Sequence, residues 1–194
     1  PENGLASPTP ACDGNRLYAA FGNGIVACYD LDGNLQWRRF LEKPTHEWGH
    51  GASPLLVGDI LLIQYNTNVY GLRAASGETA WQGKSPFVWG SPALARIGGV
   101  NAVITPGGVI FNATDGKVLG KIPARPLEYN MPLVDGDVVY WVQGETVAVK
   151  LALKEDGTID AQPLWKAKIK NERYYASPLL HDGLLYAVIR YATL

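Results

Sequence analysis

Residues 53–83 read SPLLVGDILLIQYNTNVYGLRAASGETAWQG and contain the clearest indication of the fold. Short segments rich in Leu, Val, Ile and Tyr alternate with turn residues such as Gly58-Asp59 and Ser76-Gly77. Apolar segments of this length, bounded by Gly, Asn, Asp or Ser, are typical of β-strands. The stretch therefore predicts four strands joined by tight turns, over residues 53–57, 60–65, 69–75 and 79–83.

The same pattern repeats through the 194-residue chain. The dipeptide Ser-Pro begins at residues 7, 53, 91 and 177, and Met131-Pro132 fills the gap. A turn glycine follows each of the first four landmarks after 24 to 26 residues, at Gly33, Gly77, Gly116 and Gly157. Two landmarks that keep step through four units predict a repeat protein.

A tryptophan accompanies most of the turn glycines. Trp37 and Trp81 follow theirs by four residues, Gly120 occupies that position in the third unit, and Trp165 comes only after eight. The longer spacing indicates a short insertion around residues 159–163. We expect each tryptophan to lie between neighbouring sheets, with its indole N–H bonded to a backbone carbonyl of the neighbour. The units that depart from the pattern should be less tightly packed.

The period predicts an all-β fold. No segment keeps apolar residues at helical spacing over three turns, so the sequence predicts no helix. Four short strands in about 40 residues are the antiparallel blade of a β-propeller, which buries its apolar faces only by stacking on neighbouring blades. We expect one domain over residues 1–194, with about four and a half blades at 7–45, 53–86, 91–126, 131–172 and, in part, 177–194.

The repeat unit resembles that of the PQQ-like (pyrroloquinoline-quinone) β-propeller family, most clearly over residues 71–81 and 177–186. This family includes quinoprotein dehydrogenases and the lipoprotein that assists outer-membrane β-barrel assembly. Because its closed propellers usually have seven or eight blades, the resemblance implies that the chain is a fragment, an arc of a larger ring. It also implies a bacterial periplasmic, cell-envelope or secreted location.

Composition argues against several partners. The chain has 17 basic and 18 acidic residues, a formal charge of −1, and therefore no net field to attract nucleic acid or an anionic membrane. No apolar run approaches the roughly 18 residues that a membrane span requires. We expect neither a nucleic-acid partner nor a membrane span.

The sequence His46-Glu47-Trp48-Gly49-His50 matches the zinc-protease motif H-E-x-x-H. That chemistry needs both histidines on one face of a helix, and Pro44, Gly49 and Gly51 argue against a helix here. The segment is instead interpreted as a polar loop between blades, and we predict no metal site.

The loop belongs to a recurrent set, because each connection leading into a Ser-Pro or Met-Pro carries aromatic and polar residues. These connections emerge on one face of a propeller, around its channel, where they either bind a partner or only cover the ends of adjacent blades. The candidate ligand-binding residues are His46, Trp48, His50, Trp89, Tyr129 and Tyr175.

The enzymes of the resembling family place an adjacent Cys-Cys disulfide near the quinone and bind calcium through Glu, Asn and Asp. Here Cys12 and Cys28 fall on the first and third strands of one blade, about 9.6 Å apart, which is too far for a disulfide. We therefore predict a non-catalytic binding or scaffold propeller without cofactor or catalytic residues, binding a protein or small molecule at its loops. The alternative is a PQQ- and calcium-dependent dehydrogenase that oxidises alcohols or sugars.

Overall fold

The structure is a computed structural model that describes residues 4–190, and all regular elements in that range are β-strands. Within it, no helix is long and apolar enough to cross a bilayer. The first sheet contains β1 (Ala11–Cys12), β2 (Arg16–Ala20), β3 (Ile25–Asp30) and β4 (Leu35–Phe40). The second contains β5 (Leu55–Val57), β6 (Ile60–Tyr65), β7 (Asn68–Arg73) and β8 (Thr79–Lys84). The third contains β9 (Ala93–Ile97), β10 (Val100–Ile104), β11 (Val109–Asn112), β12 (Val118–Lys121). The fourth contains β13 (Leu133–Asp135), β14 (Val138–Trp141), β15 (Glu145–Leu153) and β16 (Ile159–Lys168). The fifth contains β17 (Leu179–His181) and β18 (Leu184–Tyr186).

Strands within each sheet pair in chain order and antiparallel, giving four sheets of four strands and one of two. This is the blade topology of a β-propeller, and the fold class predicted from the sequence is confirmed. The observed strands differ from the predicted ones mainly at their ends. The strand predicted over 69–75, for example, ends at Arg73, because the carbonyl of Arg73 accepts the N–H groups of Ser76 and Gly77 and so begins the turn.

The described residues form two units, one of residues 4–91 with 113–116 and one of residues 92–112 with 117–190. The core of the first unit lies between its two blades, where Tyr18, Val26 and Cys28 pack with Leu61 and Leu72. All five side chains are buried. Apolar residues from both blades meet here because each four-stranded sheet has an apolar face that only its neighbour covers.

The second unit has its own core, built from the third and fourth blades. Ile104 and Ile110 pack there with Trp141, Val149 and Leu151, and none of these side chains is exposed by more than 1%. Both cores are continuous across two sheets, as a repeat architecture requires. The organisation of the chain as a single domain stays a prediction.

Trp37 and Trp81 pack as the sequence led us to expect. The indole N–H of Trp37 donates to the carbonyl of Ala74 over 2.9 Å, and that of Trp81 donates to Ala113, also over 2.9 Å. Each ring lies on the next turn glycine: a Cβ added to Gly77 would lie 2.6 Å from the ring of Trp37, and one added to Gly116 would lie 2.4 Å from Trp81.

The third and fourth blades meet through a different contact, and the looser packing expected for them is not found at this contact. The insertion lengthens the β15–β16 hairpin and brings Ile159 against Gly120, where an added Cβ would lie 2.4 Å from the carbonyl oxygen of Ile159. Ile159 is 5% exposed and belongs to the core of the second unit. The missing tryptophan and the insertion therefore compensate for each other.

The remaining landmark residues are more exposed. The expectation that every landmark tryptophan lies between neighbouring sheets is wrong for Trp165, which is 43% exposed and lies beside Tyr140 of its own blade, with ring centroids 6.2 Å apart. Gly33 and Gly157 adopt left-handed backbone conformations with open space around their Cα atoms. Cys12 and Cys28 are both free thiols on β1 and β3, with β2 between them, and burial raises the pKa of Cys28.

Candidate functional site

Strand order gives each blade two distinct ends. The turns between its first and second strands and between its third and fourth strands lie at one end, named here the turn end. The turn between its second and third strands lies at the opposite end, together with the segments that lead into the first strand and out of the fourth; this is the loop end. All the candidate residues fall on loop-end connections: His46, Trp48 and His50 on residues 41–54, Trp89 on 85–92, Tyr129 on 122–132 and Tyr175 on 169–178.

Four aromatic side chains of the first unit meet at its loop end. His46, Trp48, Phe87 and Trp89 form this aromatic cluster, with ring centroids 4.8 to 6.2 Å apart. The rings of Trp48 and Trp89 are 5.3 Å apart and tilted by 46°, while Phe87 meets Trp89 edge to face at 4.8 Å. These are contact distances for aromatic pairs, so the rings pack against one another and enclose no cage.

All members of the aromatic cluster are half-buried. Each ring therefore has one part packed in the cluster and another part open to solvent. Large aromatic side chains that are already ordered lose little conformational entropy when a partner covers them, which makes them effective contacts in interfaces. The cluster can bind apolar or aromatic groups of a partner.

Residues 46–50 form a turn and contain no helical segment. The N–H of Gly49 donates to the carbonyl of His46 over 2.9 Å, and the Nδ1 atom of His46 accepts the N–H of Trp48. The two histidine rings have different surroundings, because His46 lies in the half-buried cluster and His50 is buried. In residues 4–190, no three His, Cys, Asp or Glu side chains gather in a group that could hold a metal ion.

His50 is placed differently from the other candidates, since only 2% of its surface is exposed. Its Nε2 atom accepts the backbone N–H of Asn66 over 2.7 Å, and its ring packs edge to face on Tyr65 at 4.3 Å. A backbone N–H can only donate, so the neutral ring carries its hydrogen on Nδ1. Burial lowers the pKa of His50 to about 4. His50 holds the connection in place beneath the aromatic cluster.

Asn66 fixes the same connection from the turn between β6 and β7, where it adopts a left-handed conformation with φ of 45°. Its side-chain N–H groups donate to Glu42 Oε2 over 2.6 Å and to the carbonyl of Lys43 over 2.9 Å. Its side-chain oxygen accepts the N–H and the hydroxyl of Thr45. One amide group thus orders the start of the connection that carries His46 and Trp48.

Glu42 completes this network. Its Oε1 atom accepts a hydrogen bond from Asn68 over 2.7 Å and one from the hydroxyl of Tyr70 over 3.0 Å. Burial and the adjacent carboxylate raise the pKa of Tyr70 to about 12. The carboxylate therefore binds donors from the turn and from β7 and joins the connection to the second blade.

Two residues of this site, Glu42 and Asn66, could not be identified from the sequence. They lie 24 residues apart in the chain and meet only in the fold, where the turn between β6 and β7 lies against the connection that carries Glu42. Phe87 was identified from the sequence as one of the aromatic residues on the connection that leads into Ser91-Pro92, but it was not among the candidate ligand-binding residues.

A second aromatic contact lies at the loop end of the second unit. The rings of Tyr129 and Tyr175 are 4.7 Å apart. The guanidinium of Arg173 lies over the Tyr129 ring, 5.8 Å from its centroid, and donates to the Tyr175 hydroxyl over 3.1 Å. Tyr175 is 45% exposed, so a cation and an aromatic surface are presented together.

Buried donors hold the connection that carries Tyr129. The indole N–H of Trp141 donates to the carbonyl of Arg125 over 2.7 Å, and the side chain of Asn130 donates to the carbonyl of Val142 over 2.9 Å. In both units, therefore, the strand or turn of the following blade fixes the loop-end connection.

The fold and these connections define the class of protein: a β-propeller of four-stranded blades whose loop ends carry ordered aromatic residues. A family model described as "Outer membrane protein assembly factor BamB" matches residues 2–155. The chain belongs to this family of PQQ-like β-propellers.

Solved structures of related folds agree with this assignment. BamB from Moraxella catarrhalis is similar with a TM-score of 0.58 and 15% identity, over 92% of this chain and 68% of that one. Quinohemoprotein alcohol dehydrogenase from Comamonas testosteroni is similar with a TM-score of 0.62 and 12% identity, over 96% of this chain and 40% of that one. At these identities the similarities establish the fold. No curated protein matches the sequence.

Proposed function

We propose that this protein is a non-catalytic scaffold of the bacterial cell envelope that binds a protein partner during the assembly of outer-membrane proteins. The observation that carries the proposal is the match of residues 2–155 to a family described as an outer-membrane protein assembly factor. The structural similarity to BamB over 92% of the chain supports it. The location proposed with this function is the periplasm or the periplasmic side of the outer membrane.

The aromatic cluster of the first unit is the partner contact that we propose. Trp48 and Trp89 are half-buried, and the buried groups of His50 and Asn66 order the connection beneath them. An ordered aromatic surface on a rigid blade suits protein recognition, because the partner gains apolar contact without having to order the loop. A protein is preferred to a small molecule as the occupant, because the rings pack on one another at about 5 Å and leave no cage between them.

The second candidate is a PQQ-dependent dehydrogenase, with calcium as the accompanying ion. The observation that favours it is the fold similarity to the quinohemoprotein alcohol dehydrogenase, which at 12% identity concerns the fold alone. The family match supports the scaffold more directly. Adding PQQ and calcium to the purified protein should therefore give no dye-linked oxidation of alcohols or sugars, and clear turnover would establish the dehydrogenase instead.

A complementation experiment tests the scaffold. The gene is deleted in the source organism, and the amount of folded outer-membrane β-barrel protein is measured by heat-modifiable migration on gels. We expect the deletion to lower that amount and the wild-type gene to restore it. The double variant Trp48→Ala/Trp89→Ala should accumulate as a folded protein without restoring it.

The matched control is Trp165→Ala, which removes a tryptophan of the second unit that is 43% exposed. This variant should complement as well as the wild type. Normal complementation by Trp48→Ala/Trp89→Ala would remove the aromatic cluster from the proposal. An unchanged amount of folded outer-membrane protein after the deletion would contradict the scaffold function itself.

A further inference from the structure

The net charge of the chain is close to zero, but acidic and basic side chains are concentrated at opposite ends of the blades. In the second unit, the turns of the turn end and the strand residues beside them carry six acidic and four basic side chains, a balance of −2. The acidic residues are Asp135, Asp137, Glu155, Asp156, Asp160 and Asp182, and the basic residues are Arg96, Lys117, Lys150 and Lys154. The loop end, taken over residues 121–132, 142–145 and 166–178, has six basic and three acidic side chains, a balance of +3. The six basic residues are Lys121, Arg125, Lys166, Lys168, Lys170 and Arg173.

The first unit shows the same polarity by itself. Its turn end has six acidic and two basic side chains, and its loop end has four basic side chains against Glu42 and Glu47. Of these two, Glu42 accepts hydrogen bonds from three side chains in the network described above. The polarity therefore belongs to each unit and does not arise from one cluster.

Local turn chemistry explains the acidic end. Asp30 accepts the N–H groups of Asp32 and Asn34, and Asp156 accepts the N–H of Thr158. Aspartates stabilise tight turns in this way. Two turn-end cations have acidic partners: Lys150 Nζ lies 3.5 Å from Asp137, and Arg73 lies 3.9 Å from Asp59. The folding of the turns therefore accounts for Asp30 and Asp156.

Folding does not account in the same way for the basic end. Lys166 lies 4.0 Å from Glu145, but Lys121, Arg125, Lys168 and Lys170 are exposed, and among residues 4–190 none of these four has a carboxylate within 4.0 Å. Lysines on the outer strand β16 discourage pairing with other chains. Lys170 and Arg125 lie beyond the strands, where that explanation does not apply.

We propose that the loop end of the second unit is a docking surface for an acidic segment of a protein, rich in Asp and Glu and containing an aromatic side chain. The inference rests on the proposed scaffold function and specifies the chemistry of its partner. Exposed cations supply electrostatic attraction to the carboxylates. The Tyr129–Arg173–Tyr175 contact supplies one guanidinium beside an exposed ring, which suits a carboxylate followed by an aromatic side chain.

A protein segment fits this surface better than a membrane does. The recognition elements are a single ordered guanidinium and a tyrosine pair in direct contact, features on the scale of one or two side chains. Binding to an anionic bilayer would instead need only a diffuse positive surface.

The probe is a fluorescein-labelled peptide rich in Glu and Phe, and the measurement is fluorescence anisotropy with the full chain. We expect the dissociation constant to rise about tenfold between about 50 mM and about 300 mM NaCl, because salt screens exposed charges. The variant Lys168→Glu/Lys170→Glu should weaken binding by about tenfold at the lower salt concentration.

The matched control is Arg96→Glu/Lys154→Glu, which makes the same change in net charge with two exposed cations of the turn end. It should change the dissociation constant less than about twofold. Circular dichroism establishes that both variants are folded. Replacing Arg173 with Gln should weaken binding without a change in the folded spectrum.

Three results would overturn the inference: no binding of the peptide, equal weakening by both double variants, or binding to vesicles of anionic phosphatidylglycerol without binding to the peptide. These results leave the complementation by the wild-type gene unaffected. Failure of the docking surface and failure of the scaffold function are therefore distinguishable.

Discussion

The imidazole of His50 joins the connection before the second blade to the turn at Asn66 through one short hydrogen bond. The ring must be neutral to accept that bond, and burial keeps it neutral by lowering its pKa to about 4. An unfolded histidine has a pKa near 6.5, so the unfolded chain binds a proton at this position more readily than the folded one does. His50 resembles a metal ligand in the sequence, but in the structure it holds the backbone in place, and its burial makes the fold less stable at acid pH.

The variant His50→Gln tests this role. Between pH 6.5 and 4 the unfolded wild-type chain binds more protons at residue 50 than the folded chain, so folding stability decreases as the pH falls. The contribution of His50 to that loss is up to about 3 kcal/mol. The glutamine oxygen can still accept the Asn66 N–H but does not titrate, so the free energy of unfolding should depend less on pH over this interval.

The measurement is urea denaturation at a series of pH values. His46→Gln is the control, since His46 is half-buried in the aromatic cluster and should leave the pH dependence of the wild type in place. An identical pH dependence in His50→Gln and wild type would show that His50 is not the group responsible.

Contacts between neighbouring blades follow two different designs. In the first design a tryptophan lies on the turn glycine of the next blade, as Trp37 does on Gly77. In the second, the lengthened β15–β16 hairpin brings Ile159 onto Gly120. Both designs need a glycine at the contact, because the partner occupies the space of a Cβ atom.

The variant Gly120→Ala should therefore destabilise the protein. Its new Cβ would lie 2.4 Å from the backbone carbonyl of Ile159, so the hairpin must move. The expected loss of unfolding free energy is about 1 to 3 kcal/mol, as for other overpacked sites. Gly51→Ala is the control, because its nearest neighbour would be 3.8 Å away and its backbone is not left-handed.

Chemical denaturation of both variants decides the matter. Gly51→Ala should leave the midpoint unchanged or raise it slightly, since alanine restricts the unfolded chain. Equal stability of Gly120→Ala and the wild type would contradict the close contact with Ile159.

The sequence contained most of the information about the strands and little about the site. Turn glycines and alternating apolar segments are local signals, so the blades and the contacts of Trp37 and Trp81 could be predicted. The compensation between Gly120 and Ile159 could not, because it depends on where a longer hairpin reaches across to another blade. The bond of Asn66 to Glu42 was also missed, since a polar residue in a turn gives no sign of a distant partner.

Considered as a whole, the described chain has two cores, each shared by two blades. Blades that pack only with their neighbours give a stability that is a sum of local terms. A substitution in one core should therefore destabilise mainly its own unit. Hydrogen exchange can detect this, because amide protection should fall in that unit and not in the other.

The variants Leu61→Ala and Leu151→Ala form a matched pair, because each removes the same atoms from a fully buried side chain of a different core. Each should cost about 2 to 5 kcal/mol. Hydrogen–deuterium exchange should show loss of protection mainly in β2, β3, β6 and β7 for Leu61→Ala, and mainly in β10, β14 and β15 for Leu151→Ala. Equal loss throughout the chain in both variants would show that the chain opens as one cooperative body.

The bond from Trp37 to Ala74 has a practical consequence for spectroscopy. The indole belongs to the first blade by sequence, yet its N–H and its ring face are set by the backbone of the second. The fluorescence of Trp37 will therefore respond to conformational changes in the second blade, the repeat that follows its own. A change in its emission maximum will locate an event one blade further along the chain than its residue number suggests.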